Sequence, residues 1–367
     1  MNRAAKVLLK FDSQYDLDEK KKLRDGLSAV VQIGQTLWLA NDETLSLECF
    51  DCQDQAAVQK VYDNHRQFAL GDLLQLPAPA ISGQKFEEAD IEGLAFDQAQ
   101  QYLWLIGSHS LKRKQPDARK DEGENIERLS KVSSDGNRYL LARIPVVNED
   151  GILKLVRTTS DSQRTAAQLA GQQSWSALTR ALGQDEHLRG FFAIPGKDNG
   201  FDIEGLAIAG KRLFIGLRGP VLRGWAIIIE IEPEQDRGDP HTLKLARIDE
   251  EGALYRKHFI QLDGLGIRDL CVDGNDMLIL AGPTMDLDGP VTVSRWINGV
   301  NTTGNTVVFR EKLARVLDVP FGYRGDHAEG MTLFSTADSP GRQLLLVYDT
   351  PLGRGDNSSV EADIFEL

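Results

Sequence analysis

Hydrophobic and polar residues alternate over short stretches along most of the chain, and these stretches recur at a regular interval. Each recurrence has an alternating run, a turn rich in Gly, Asp or Asn, and a second apolar run, as in GLAIAGKRLFIGLRGP from Gly205. Two β-rich runs around a tight turn are typical of a β-hairpin. A further apolar run precedes each hairpin after a short loop. The pattern therefore predicts units of about four strands.

The hexamer DIEGLA marks this repeat most clearly, because it occurs at Asp90–Ala95 and again at Asp202–Ala207. Looser copies are LRDGLS from Leu23, IRDLCV from Ile267 and HAEGMT from His327. An acidic residue stands third in each copy, and successive acids lie 60 to 67 residues apart except in one interval of 112. These acids are Asp25, Glu92, Glu204, Asp269 and Glu329.

A four-stranded unit that recurs at this interval indicates a β-propeller. We predict an all-β fold in which residues 1–367 form a single five-bladed β-propeller, with six blades as the alternative if the long second unit conceals another. The N-terminal run AAKVLLKFD has no unit of its own, and the C-terminal run SVEADIFEL lacks an outer neighbour. We therefore expect the N-terminal strand to complete the last blade and to close the ring, which would cover two strand edges.

The long interval between Glu92 and Glu204 contains two stretches without a counterpart in the other units. One is a charged loop at residues 111–131, and the other is a segment at residues 160–188 whose second part predicts a helix. Ser174 is the expected N-cap of this helix and Gly183 the residue that follows its end. We interpret both stretches as insertions, the second packing on a blade edge or covering the channel as a lid.

Composition narrows the classes of partner. A net charge of −13 argues against binding to nucleic acid or to anionic membranes, since both attract basic surfaces. No apolar run approaches the roughly 18 residues of a membrane span, and the N-terminal stretch lacks the features of a signal peptide. Three cysteines do not make a disulfide framework. The sequence thus predicts a cytoplasmic protein.

The repeated acids are expected to meet at one place. The innermost strand of each propeller blade lines the central channel, so acids that open these strands should surround one channel mouth. A residue two positions before an acid points the same way along a regular strand, which adds Asp90, Asp202 and His327. Antiparallel pairing brings the ends of the second strands to the same mouth. These ends contribute Asn41, Asp42, Ser108, His109, Ser110, Arg218, Thr284 and Asp349.

Crowded carboxylates cannot all stay ionised without compensation, and three interpretations remain open. The acids could staple the ring by accepting hydrogen bonds from backbone N–H groups of the neighbouring blade. They could hold a hard cation such as calcium through Glu92, Glu204 and Glu329. They could also be catalytic carboxyl groups with raised pKa values. Arginine is another compensating group, and Arg218 stands at a suitable hairpin end.

Several strings resemble those of a bacterial family known as domain of unknown function 3616. They include DIEGLAF, GLGIRDL and IGLRGPVLRGWA, and the resemblance covers nearly the whole chain except the two insertions. It implies a propeller-type fold but no activity. More distantly, the strand start of acid, glycine and apolar residue looks like that of calcium-dependent propeller hydrolases. Esterase-like phytases, the gluconolactonase group and calcium-activated nucleotidases are examples, and this similarity implies a calcium-dependent hydrolase.

Two functional hypotheses follow. The first is a propeller without catalytic activity that binds a small molecule or a protein, with Asp25, Asp90, Asp202, Ser108, Ser110, Asp269 and His327 as candidate ligand-binding residues. The alternative is a divalent-cation-dependent phosphoesterase or esterase-like hydrolase, in which the cation polarises the substrate and activates water. Arg218 would then bind an anionic group and His109 would be the general base. The absence of any familiar catalytic motif favours the first hypothesis.

Overall fold

The computed structural model describes residues 3–19, 21–53, 60–79, 87–285, 287–321, 327–336, 339–349, 351 and 353–367. The strands are, in chain order, β1 (Arg3–Lys10), β2 (Leu27–Ile33), β3 (Thr36–Asn41), β4 (Ser46–Cys52), β5 (Lys60–Ala69), β6 (Ile91–Asp97), β7 (Tyr102–Gly107), β8 (Lys112–Arg113), β9 (Val132–Ser133), β10 (Leu141–Glu149), β11 (Ile152–Leu155), β12 (Ala167–Leu169), β13 (Gly171–Gln172), β14 (Trp175–Ser176), β15 (Asp202–Ala209), β16 (Arg212–Leu222), β17 (Trp225–Ile231), β18 (Pro233–Gln235), β19 (Thr242–Leu245), β20 (Arg256–Gln261), β21 (Gly266–Asp273), β22 (Asp276–Gly282), β23 (Val291–Trp296), β24 (Thr306–Val308), β25 (Leu313–Val319), β26 (His327–Thr336), β27 (Ser339–Asp349) and β28 (Ser359–Glu366). The helices of these ranges are α1 (Leu70–Leu73), α2 (Glu122–Ser130) and α3 (Ala177–Leu182). The chain is thus mostly β, as its alternating pattern predicts, and no described helix is long and apolar enough to cross a membrane.

The strands pair in antiparallel groups of four that follow one another along the chain. Within the described ranges these groups are β2–β3–β4–β5, β6–β7–β10–β12, β15–β16–β17–β20, β21–β22–β23–β25 and β26–β27–β28–β1. The last group takes its outer strand from the start of the chain, because Val7 of β1 lies opposite Ala362 of β28. On its other edge, β1 pairs in parallel with β5 of the first group.

The first strand of each group is an inner strand that contacts the inner strands of two other groups. β2 contacts β6, β6 contacts β15, β15 contacts β21, β21 contacts β26, and β26 contacts β2. Glycines permit this approach. A Cβ atom on Gly93 would lie 2.6 Å from the Cβ atom of Leu206, and one on Gly330 would lie 2.9 Å from the Cα atom of Ala29.

Buried apolar side chains fill the space between neighbouring groups. Val7 and Leu9 of β1 are fully buried and pack in one cluster with side chains of the first and last groups, including Phe50 and Leu345. Burying a side chain of this size stabilises a fold by about 1.5–3 kcal/mol. The N-terminal strand is therefore part of the core as well as of the sheet.

The segment at residues 160–188 is built differently from a simple helical insertion. Its strand β12 pairs with β10 and so supplies the outer strand of the second group. Helix α3 begins after Ser176 and not after Ser174, because Ser176 and Thr179 form a reciprocal capping box. Leu178 and Leu182 of α3 are fully buried. The charged stretch at residues 111–131 contains β8 and the exposed helix α2.

Candidate functional site

Each inner strand carries a β-bulge at an equivalent place, where its pairing with the second strand of the group shifts by one residue. A bulge leaves one residue outside the ladder of hydrogen bonds and redirects its side chain. The register shifts lie at Leu27/Ala29, Ile91/Gly93, Ile203/Gly205, Ile267/Asp269 and Ala328/Gly330. The residues at the bulges are consequently Ser28, Glu92, Glu204, Arg268 and Glu329.

This register brings together three of the five acids that the sequence aligned. In the first group the bulge residue is Ser28, whereas Asp25 lies in a turn before β2 with half of its side chain exposed. In the fourth group the bulge residue is Arg268, and Asp269 takes the place that glycine has in its neighbours. The register of pairing with the second strand decides which residue occupies the bulge. Aligning the acidic residues of the repeats along the sequence does not show this register.

A cavity of about 400 Å³ lies at this end of the inner strands. Among its described lining residues, ten are Asp or Glu and five are Lys or Arg. Many of the residues that the sequence assigned to the channel mouth line this cavity: Asp42, Asp90, Glu92, Ser110, Asp202, Glu204, Arg218, Glu329 and Asp349. The expectation that acidic side chains from distant units converge is thus met for this set.

Arg138 compensates the charge of one of these acids. Its guanidinium Nη1 lies 2.5 Å from Oδ2 of Asp90 and donates a hydrogen bond to the Ser110 hydroxyl at 3.0 Å. Ser110 in turn donates to the hydroxyl of Ser108, which is fully buried behind the wall. Arg138 lies in a short turn before β10, and no sequence pattern singled it out. Only tertiary packing brings it to Asp90.

Two further arginines form an alternating row of charges with Glu204 and Glu329. Nη1 of Arg218 lies 2.5 Å from Oε1 of Glu204, and its Nε donates to the carbonyl oxygen of Thr284. Nη1 of Arg268 lies 2.6 Å from Oε1 of Glu329 and 3.1 Å from Oε2 of Glu204. The second of these is an ion pair without hydrogen-bond geometry. Arg218 and Arg268 together neutralise Glu204 and Glu329.

The predicted calcium ligands do not fit a cation. Arg268 already pairs with both Glu204 and Glu329, so a metal ion at these two residues would have to displace a buried guanidinium group. In the part of the chain that the structure describes, no group of three or more His, Cys, Asp or Glu residues could hold a metal ion. At Glu204 and Glu329 the charge compensation therefore comes from arginine.

Three lining carboxyl groups lack such a direct partner, although Lys197 favours the ionised form of Asp42, and Arg218 and Arg138 favour that of Asp202, at longer range. The side chains of Asp42, Glu92 and Asp202 make no hydrogen bond or ion pair with any described residue. Oδ1 of Asp42 is fully buried without a hydrogen-bond partner. Burial and the nearby Asp349 raise the pKa of Asp42 well above its usual range, and burial and Asp90 do the same to Glu92. Burial and Glu204 raise the pKa of Asp202 to about 7.

The two candidate histidines lie outside this cavity. His109 is buried, and its Nδ1 donates a hydrogen bond to the carbonyl oxygen of Gly107 at 2.9 Å. Burial lowers the pKa of His109 to about 4, so the ring is neutral at pH 7. His327 borders a smaller, separate cavity, where its Nε2 lies 3.5 Å from Oδ1 of Asp288.

Asp269 has the geometry of a staple. Its Oδ1 accepts a hydrogen bond from the backbone N–H of Leu270, and its Oδ2 accepts one from Met331, both at 2.7 Å. Met331 belongs to β26, so Asp269 connects the inner strands of the fourth and fifth groups. It does not line the carboxyl-rich cavity.

Comparisons with known proteins identify a family but no activity. The model of a family described as protein of unknown function (DUF3616) matches residues 26–363. No curated protein matches the chain significantly. Similar solved structures include a glutaminyl cyclase of Myxococcus xanthus, with 9% identity, full coverage of both chains and a TM-score of 0.38. A PQQ-bound aldose sugar dehydrogenase of Streptomyces coelicolor has 9% identity, full coverage of both chains and a TM-score of 0.34.

The β-propeller domain of Nup133 from Vanderwaltozyma polyspora is similar at 7% identity over 100% of this chain and 83% of that one, with a TM-score of 0.34. These similarities are too low to indicate what this chain binds or whether it catalyses a reaction.

Proposed function

The chain belongs to the DUF3616 family of proteins of unknown function, and we propose that it is a five-bladed β-propeller that binds a small molecule in its carboxyl-lined cavity. The cyclic contacts of the inner strands and the pairing of β1 with β28 support a closed ring. The direct contact of β6 with β15 supports a single blade for the long second unit and thus five blades and not six.

The observation that carries the binding role is the set of carboxyl groups without partners. Asp42, Glu92 and Asp202 come from three different strands or strand ends and line one cavity. A buried or half-buried carboxylate without a direct partner is unfavourable for folding, so these groups do not serve stability. A cavity of about 400 Å³ is within the range of small-molecule sites.

The hydrolase alternative has less support. Its proposed cation ligands Glu204 and Glu329 are paired with arginine, and its proposed anion-binding residue Arg218 is neutralised by Glu204. Its proposed general base, His109, does not line the cavity. A general base must come within hydrogen-bonding reach of the proton that it removes.

The test is a screen of small polar metabolites by thermal shift on the wild-type protein. Compounds that raise the melting temperature are then measured by calorimetry against Asp42→Asn and against Asp318→Asn, a matched change at an exposed residue of β25. We expect to find compounds that bind more weakly to Asp42→Asn than to the wild type and equally well to Asp318→Asn. A cavity that binds no compound of the screen, or whose ligands ignore Asp42→Asn, would contradict the proposal. Turnover of phosphate or carboxylic esters that depends on calcium would favour the hydrolase.

A further inference from the structure

The charge that remains in the cavity after internal pairing is negative. Asp90 is paired with Arg138, and Glu204 and Glu329 with Arg218 and Arg268. The cationic side chains at the rim are engaged as well. Lys112 pairs with Asp135, and Arg113 pairs with Asp198 at 2.8 Å. Lys197, the fifth cationic side chain of the described lining, favours the ionised form of Asp42. An anionic ligand would therefore compete with carboxyl groups of this chain for each of these five cations.

Asp202 is the most enclosed of the carboxyl groups that remain. Only 6% of the residue is exposed, yet it lines the cavity and its side chain makes no hydrogen bond or ion pair with a described residue. Arg218 and Arg138 act on its carboxyl group only at longer range. Gly196 forms part of the wall directly above it, and a Cβ atom on Gly196 would overlap the Asp202 carboxylate. The absence of a side chain at Gly196 keeps the carboxylate open to the cavity.

The lining residues also select among cations. The described lining contains no Phe, Tyr or Trp, whereas sites for quaternary ammonium ions are cages of aromatic rings. No described group of residues could hold a metal ion. A primary ammonium group instead offers three N–H donors, and hydrogen bonds between ionised partners are about twice as strong as neutral ones.

We infer that the ligand is a small organic cation with N–H donors, an amine or guanidine compound, held by Asp42, Glu92 and Asp202. This inference rests on the proposed ligand-binding function and names the chemical class of the ligand. Each carboxylate accepts an N–H group of the ligand, and the ligand's positive charge offsets the repulsion among the three. A neutral polyol would leave that repulsion in place.

The test is calorimetric titration of the full-length protein at pH 8 with 1,4-diaminobutane, spermidine and agmatine. The controls are 1,4-butanediol, which has no charge, and the fully N-methylated diamine, which has no N–H donor. We expect at least one of the three amines to bind at least tenfold more tightly than both controls. Equal affinity for the butanediol or for the methylated diamine would overturn the inference.

Variants link binding to the named residues. Glu92→Gln and Asp202→Asn should each weaken binding of the amine at least tenfold, while the exposed control Asp318→Asn should leave it unchanged. Asp202 is buried, so the Asp202→Asn variant tests amine binding only if it folds. Glu92→Gln provides an independent test of the site. Unchanged affinity in Glu92→Gln would overturn the assignment of the site.

The outcomes separate this inference from the proposed function. If a neutral or anionic metabolite binds in a manner sensitive to Asp42→Asn while all three amines fail, the amine class is wrong and the ligand-binding function stands. If calcium ions compete with the amine and bind more weakly to Glu92→Gln than to the wild type, the cavity is a metal site and the inference is wrong. If neither the amines nor the metabolite screen gives a ligand, both are wrong.

Discussion

Oδ2 of Asp269 accepts a hydrogen bond from the backbone N–H of Met331 at 2.7 Å and thereby connects β21 to β26. The other oxygen of the same carboxyl group accepts the N–H of Leu270. Both oxygens are therefore acceptors, and the carboxyl group joins the inner strands of two sheets. This is the staple that the sequence suggested for every acid of the repeat, and the geometry supports it at this residue.

Asp269→Asn should destabilise the protein. An asparagine can accept only one of the two backbone N–H groups, and its amide would face the other donor. We expect a loss of about 1–3 kcal/mol in the free energy of unfolding, measured by urea denaturation. Asp318→Asn, at an exposed residue, serves as control and should stay within about 0.5 kcal/mol of the wild type. An Asp269→Asn protein as stable as this control would refute the staple.

Glu92→Gln and Glu204→Gln should change stability in opposite directions. Glu92 has no partner in the described residues, and burial raises its pKa, so removing its charge should stabilise the protein without ligand. Glu204 pairs with Arg218 and Arg268. Its replacement leaves buried guanidinium groups short of a partner and should cost about 3–5 kcal/mol. Urea denaturation of both variants at pH 8 tests this, and changes of the same sign would contradict the charge assignment.

Asp202 should make stability depend on pH. Its pKa is raised from 3.8 to about 7 in the folded protein, so the folded state binds more protons than the unfolded state between these values. Stability therefore falls as the pH rises from about 4 to 7 and is constant with respect to this group above pH 7. Asp202→Asn removes this dependence, so the variant should be more stable than the wild type at pH 8, by up to about 4 kcal/mol, and similar to it at pH 4. A constant difference across this range would show that Asp202 does not titrate as described.

Removal of residues 1–11 should destabilise the whole protein. β1 completes the last group by pairing with β28, and it buries Val7 and Leu9 in the core. Its loss would expose apolar side chains and leave the edges of β28 and β5 unpaired. We expect a fall of at least 10 °C in the melting temperature by calorimetry, with about 2–4 °C for each kcal/mol as a guide for domains of about 150–250 residues. A truncated protein that melts within a degree or two of the full chain would contradict ring closure.

The segment at residues 160–188 shows where local pattern and tertiary pairing diverge. The sequence predicted the helix and its end at Gly183, because helix ends depend on residues close together along the chain. The N-cap lies at Ser176 and not at Ser174, and Ala167–Leu169 forms the fourth strand of the second group. Strand pairing involves residues distant in sequence, so a short strand within an apparent insertion leaves no local sign.

The sequence by itself determined the hairpins and the repeat, because these depend on alternation and turn residues that are legible locally. It also indicated that acidic residues meet at one end. Only the tertiary structure decided that Arg268 and not Asp269 occupies the bulge, since a shift of one residue turns a side chain to the opposite face of a strand. It likewise decided that Arg138 neutralises Asp90 while Asp202 keeps no partner, because the distance between charges depends on packing of separate sheets and not on spacing along the chain.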